Sequence, residues 1–122
     1  MTWQLKTKIW LERDGKKVFG DGPCDILMRI ERLGSLRKAA KEINMSYSQA
    51  WTLIKHLEQN LGCSLLEKKA GGTSGGYSSL TPEGARLTNA YYNFQQEARE
   101  NLENIFASHF MGLENQDKLS QD

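Results

Sequence analysis

Ser46, Tyr47, Ser48, Gln49, Thr52 and Lys55 bring hydroxyl, amide and ammonium groups into a stretch of ten residues that contains no carboxylate. Such side chains donate and accept hydrogen bonds but hold no nucleophile–base pair, so they suit recognition better than bond making. Ala50, Leu53, Ile54, Leu57 and Leu61 recur at helical spacing through the same stretch. A helix that buries them turns Tyr47, Ser48, Gln49, Thr52 and Lys55 outward. Gln can pair bidentately with an adenine edge, Ser and Thr can serve bases or phosphates, and the Thr52 methyl can meet a thymine methyl. Trp51, with Tyr47 one turn back and Lys55 one turn on, reads as a core or interface aromatic, with direct duplex contact as the alternative.

A second group of residues could hold phosphate. Ser35, Arg37 and Lys38 stand at a helix start, where free amides add to the cationic side chains. Lys55, Lys68 and Lys69 extend this basic rim, and Gly72, Thr73 and Ser74 lie in a glycine-rich loop whose backbone amides could approach a groove closely. Enzymatic readings fail on inventory. His56 and His109 are the only histidines, and no Cys/His/Asp cluster has metal-ligand spacing. The glycines at 71–76 lack the Gly-Lys-Ser/Thr ending of a phosphate-binding loop. Neither an enzymatic activity nor a cofactor or metal is expected.

These residues need elements to position them. Leu5, Thr7, Ile9 and Leu11 alternate with Lys6, Lys8, Trp10 and Glu12, a period of two that predicts a strand. Asp14-Gly15 then turns a hairpin, with Lys16 to Phe19 as the return strand. Gly22-Pro23 opens a first helix with Ile26, Leu27, Ile30 and Leu33 on its apolar face, and Gly34 stops it. Ser35 caps a short second helix carrying Leu36, Ala39, Ala40 and Ile43. After Asn44 and Met45, Ser46 and Gln49 form a capping-box pattern for the third helix, which ends at Gly62. Helices joined by so short a turn predict a helix-turn-helix. Short strands at Ser64–Lys68 and Ser78–Leu80 flank the glycine-rich loop and make a wing. Thr81-Pro82 opens a long helix to about His109, roughly 40 Å at about 1.5 Å per residue. Its apolar positions Leu87, Tyr91, Phe94, Ala98, Leu102 and Ile105 are spaced as the seam of a helix pair, and a chain this small cannot cover them all. A second copy is the expected partner, and a symmetric dimer would set two recognition helices about 34 Å apart on a roughly palindromic site.

The 122 residues suffice for one core. The expected organisation is mainly α with small β elements. Residues 1–81 form a winged helix-turn-helix with an N-terminal β-hairpin, residues 82–110 its long dimerisation helix, and residues 111–122 a flexible tail. The net charge of +1 hides a polarity: residues 1–69 hold thirteen Lys/Arg against eight Asp/Glu, and residues 70–122 hold three against seven. A basic half suits a polyanion. With no long apolar run and no secretory signal, a cytoplasmic protein is expected. Cys24 and Cys63 read as buried free thiols, and Met28 and Met45 as core filler.

From Gly34 to Leu87 the chain resembles the N-terminal DNA-binding domain of ModE-type molybdate-responsive regulators, and more distantly that of LysR-type regulators. The resemblance rests on Gly34-Ser35-Leu36-Arg37-Lys38-Ala39-Ala40, on Met45-Ser46-Tyr47-Ser48-Gln49-Ala50-Trp51, and on Ala70–Gly76 running on to Leu80-Thr81-Pro82-Glu83-Gly84. It implies a dimer that binds double-stranded DNA at an operator as repressor or activator. Full-length ModE regulators carry a C-terminal molybdate-binding region, whereas this chain ends soon after its last helix, so direct oxyanion sensing is not expected. Control of molybdenum-related genes, and a separate effector or sensor protein, stay open. The rival expectation is a winged-helix module that recognises protein instead of DNA.

Overall fold

A computed structural model describes residues 3–69 and 77–116 of the chain, with side chains at 68, 69, 77 and 114–116 left aside. The order of elements is β1 (Trp10–Arg13), β2 (Lys16–Gly20), α1 (Asp21–Leu33), α2 (Leu36–Glu42), α3 (Tyr47–Leu61), β3 (Leu66–Lys69), β4 (Tyr77–Leu80) and α4 (Pro82–Gln116). Two compact units share these elements. One is Ile9–Tyr92; the other joins the residues before Ile9 to the helix from Asn93 onward.

In the first unit, β1 and β2 pair antiparallel through a turn in which both Asp14 (φ +53°) and Gly15 (φ +77°) take the left-handed conformation. That is the geometry that matches the twist of a two-residue hairpin. Pairing runs from Arg13↔Lys16 to Trp10↔Gly20, with a bulge between Leu11 and Glu12. The strand is shorter than the alternation from Leu5 predicts. Leu5, Thr7 and Ile9 are half-buried and Lys6, Lys8 and Trp10 exposed, so the period of two survives without a strand over residues 5–9. Alternation reports which side is covered; pairing needs a partner, and the five residues of β2 reach no further than Trp10.

Helix α1 begins at Asp21, two residues before Pro23, which takes the third helical position. The missing amide hydrogen is still one of the four that a helix start leaves unpaired, so the proline costs nothing there. Gly34 (φ +72°) ends α1, its amide donating to the Ile30 carbonyl at 2.7 Å. Ile26, Leu27 and Ile30 of α1 pack with Phe19 of β2, Leu36, Ala39 and Ala40 of α2, Ala50, Ile54 and Leu57 of α3, Leu65, and Tyr91 of α4. The Tyr91 ring meets Phe19 edge-on at 5.3 Å, and its hydroxyl lies 2.9 Å from the Ile9 carbonyl and 2.6 Å from an Asp21 carboxylate oxygen. Arg29 and Arg32 of α1 both reach Glu42 of α2 at 2.7 Å, and these two guanidiniums, Arg32 foremost, hold the Glu42 carboxyl below its ordinary value.

Cys24 is buried, and Cys63 is half-buried; neither forms a disulfide. Burial, aided by Asp21 and Asp25, pushes the Cys24 thiol up to about 11, so it stays protonated. Met45 packs against the core from a half-buried position, whereas Met28 is exposed and so is not core filler.

Strands β3 and β4 pair antiparallel from Leu66↔Leu80 to Lys69↔Tyr77. The Ser78 amide donates to the Gly34 carbonyl, which ties β4 to the end of α1. Thr81 starts α4 by accepting from the Gly84 amide at 2.9 Å, while its own hydroxyl donates to the Ser64 carbonyl at 2.6 Å. A Cβ on Gly84 would stand 2.5 Å from the Leu65 carbonyl oxygen, so the first turn of α4 approaches the backbone just before β3 closely only because residue 84 has no side chain.

In the second unit, α4 continues to Gln116. This carries the helix past both His109 and the expected start of the tail at residue 111, and residues 117–122 lie outside the described residues. Trp3 packs against Phe110 (6.0 Å between centroids), and Phe110 stacks on Phe106 (4.9 Å).

Candidate nucleic-acid interface

The turn between α2 and α3 is residues 43–46, and Asn44 takes a positive φ of +57° within it. Asn tolerates the left-handed region better than most residues, which lets the chain reverse in so few steps. Both helix starts are closed by side chains. Ser35 accepts from the Lys38 amide at 3.0 Å. Ser46 accepts from the Gln49 amide at 3.0 Å, and Gln49 Oε1 accepts from the Ser46 amide at 3.1 Å, a complete capping box.

That box changes the standing of Gln49. Its side chain is exposed, as the sequence predicts, but its acceptor oxygen is already engaged at the helix start. A bidentate contact to adenine needs that oxygen as well as the amide NH2. Ser48, Thr52 and Lys55 are exposed along α3, and Trp51 joins them at 41% exposure, so the core alternative for this residue fails. Tyr47 is half-buried beneath the Arg37 guanidinium, 4.4 Å from its ring centroid. The first turns of α2 and α3 are thereby linked by a cation–π contact.

Lys55 Nζ lies 5.3 Å from the Trp51 ring centroid and 3.2 Å from Glu58 Oε1. Glu58 is a residue that sequence reasoning missed. Its other oxygen accepts from the Leu65 amide at 2.7 Å and from the Leu66 amide and Ser64 hydroxyl at 3.3 Å. One carboxylate thus clamps α3 to the start of β3. Burial pushes the Glu58 carboxyl up, but the Leu65 amide, Lys55 and the Leu66 amide together pull it further down, to below the usual glutamate value. The clue in the sequence was a lone acidic residue at 58 on an otherwise carboxylate-free helix.

Of the proposed phosphate group, Arg37 and Lys38 are exposed and Ser35 is half-buried. Lys68 and Lys69 fall in β3, and Gly72, Thr73 and Ser74 lie outside the described residues. The positions assigned to a dimer seam divide. Tyr91 is 2% exposed and belongs to the core, and Leu87 is half-buried against it. Phe94, Leu102 and Ile105 are exposed at 52%, 38% and 55%, with Ala98 half-buried among them. Among the described residues no group of three His, Cys, Asp or Glu side chains could hold a metal ion, and no helix is long and apolar enough to cross a membrane.

Comparison with known proteins agrees with this geometry. Residues 24–85 match the family model of the bacterial regulatory helix-turn-helix proteins of the lysR family. The chain is 36% identical over 81 residues to the molybdenum-pterin-binding protein MopB of Rhodobacter capsulatus, covering 66% of this chain and 30% of that protein. It is 35% identical over 77 residues to the DNA-binding transcriptional dual regulator ModE of Escherichia coli K12, covering 62% of this chain and 29% of that one. The matched region thus spans less than a third of either relative. Among solved structures, the CbnR_DBD-DNA complex superposes with a TM-score of 0.57 at 20% identity, over 72% of this chain and 95% of that one, which establishes a shared winged helix-turn-helix fold.

Proposed function

Because the chain belongs to the lysR family of bacterial regulatory helix-turn-helix proteins, we propose that it is a sequence-specific DNA-binding transcriptional regulator that acts as a homodimer in the cytoplasm. The observation that carries this reading is the outer face of α3. Ser48, Trp51, Thr52 and Lys55 are exposed together, and the one acidic residue of the helix, Glu58, is turned back onto Lys55 and the backbone at Leu65. A face cleared of carboxylate can enter the major groove, where base edges are read, while Arg37 and Lys38 at the start of α2 hold the flanking phosphates. Lys68, Lys69, Gly72, Thr73 and Ser74 of the wing complete the contact in this proposal.

The dimer is assigned to α4 beyond Asn93, through Phe94, Ala98, Leu102 and Ile105. The name of the relative MopB, a molybdenum-pterin-binding protein, supports target genes in molybdenum handling.

Genomic fragments selected by the purified protein, with and without molybdate, test binding, site symmetry and sensing together. A selected duplex should then bind with log affinity falling linearly in log salt, at about −0.9 per phosphate neutralised. Failure to enrich any fragment, or an affinity for duplex that does not respond to salt, would sink the proposal and favour protein recognition.

A further inference from the structure

Successive residues of an α-helix are offset by about 100° around its axis. On α3 this places Trp51 at one edge of the exposed face, beside Lys55 and next to half-buried Tyr47, with Ser48 and Thr52 nearer the middle and Gln49 at the opposite edge. The edge position of Gln49 agrees with the hydrogen bond that already occupies its Oε1. Trp51 is the one large apolar side chain among the exposed residues of this helix, and the Lys55 ammonium stands over its ring at 5.3 Å. With the cation over one face of the ring, Trp51 still leaves 41% of its surface exposed. Major-groove base edges present donors and acceptors with a single apolar exception, the C5-methyl of thymine.

We propose that Trp51, and not Gln49, is the specificity-determining side chain of this face, and that its indole packs against a thymine methyl in each half-site. This rests on the reading of α3 as a groove-binding helix. Gln49 is a positioning residue that sets the start of the helix, and Lys55 orients the indole while facing phosphate.

The test uses the full chain and a duplex selected by it from genomic DNA, with each thymine replaced in turn by deoxyuridine, which deletes only the methyl. Wild-type protein should lose about fourfold in affinity at one thymine of each half-site, the scale of one buried methyl. Trp51→Ala should bind the parent and that deoxyuridine duplex equally, and Trp51→Phe should retain part of the difference. Thr52→Ser, which removes the other methyl on the face, should keep the full wild-type loss. Equal binding of every deoxyuridine duplex by wild-type protein overturns the proposal without any variant having to fold. A fourfold loss that persists in Trp51→Ala, or that vanishes in Thr52→Ser, overturns it as well, because another side chain then meets the methyl. These three failures leave DNA binding intact, whereas failure to select any duplex overturns both the proposal and the reading beneath it.

Discussion

At the scale of single residues, Lys55 and Gln49 on the exposed face of α3 are engaged differently. Lys55 is held between Trp51 and Glu58, so its charge is placed but partly compensated. Replacing it with alanine should weaken binding to selected and random duplex alike, and should lower the salt slope by about 0.9, the value for one phosphate. Anisotropy titrations across a salt series measure both quantities, and an unchanged slope would place Lys55 off the phosphate backbone. Gln49 behaves differently because its acceptor belongs to the cap. Gln49→Glu keeps a carboxyl oxygen for the Ser46 amide, whereas Gln49→Ala loses it, so helix stability should separate these variants. The alanine variant is expected to melt earlier by about 0.5–2 kcal/mol, the range of a helix cap, with the glutamate variant near wild type. This distinction was not legible in the sequence. The Ser46-to-Gln49 spacing announces a capping box, and the same glutamine is a good reader of adenine. Only the geometry shows that this oxygen is held at the Ser46 amide, turned to the cap.

At the scale of elements, legibility followed how local each cause is. Helices α1 to α3 were readable because caps and stops act within a few residues: Ser35, Ser46 and Gly34 stand where the sequence places them. The strand over residues 5–9 was misread, since pairing depends on a partner fixed by the turn at Asp14-Gly15. The clamp made by Glu58 was invisible for the same reason, its acceptors' partners being seven and eight residues away. Two predictions test how these elements are joined. Gly84→Ala must push α4 away from the Leu65 carbonyl, which backbone cannot easily yield, and should cost about 1–3 kcal/mol in thermal or urea unfolding. A neutral outcome would show that the first turn of α4 can shift. Glu58 contributes to the acid sensitivity of the fold with a definite sign. Its carboxyl is held low in the folded chain, so its stabilisation is full above the ordinary glutamate pKa of about 4.3 and is lost as pH falls through the lowered value. Glu58→Gln should therefore be destabilised at neutral pH by about 1.5–3 kcal/mol, the scale of a hydrogen bond to a charged group. The gap to wild type should narrow on acidification. Glu42, also held low by Arg32 and Arg29, keeps part of the acid response in both proteins. Parallel unfolding curves at every pH would rule out the clamp.

At the scale of the whole molecule, the question is what the exposed apolar side of α4 is for. Tyr91 and Leu87 belong to the core of the first unit, so the heptad-like pattern of the helix serves two purposes in succession along its length. A sequence pattern cannot mark where one ends, because core and seam ask for the same residue types at the same spacing. Beyond Asn93 the exposed side chains Phe94, Leu102 and Ile105 follow each other at intervals of eight and three residues, which keeps them on one stripe. Pairing with a second copy would remove that stripe from water and place two α3 helices on one duplex. Ile105→Asp puts a charge in the proposed seam at a residue outside the core of the first unit, so folding and dimerisation can be read separately. Sedimentation should show wild type at twice the chain mass and Ile105→Asp as a monomer with an unchanged near-ultraviolet spectrum. The monomer should also bind a two-half-site duplex little better than a single half-site, since linkage through the dimer supplies the gain. If the variant sediments as wild type does, or if wild type is itself monomeric, α4 is not the seam. A palindromic site would then need another source of symmetry.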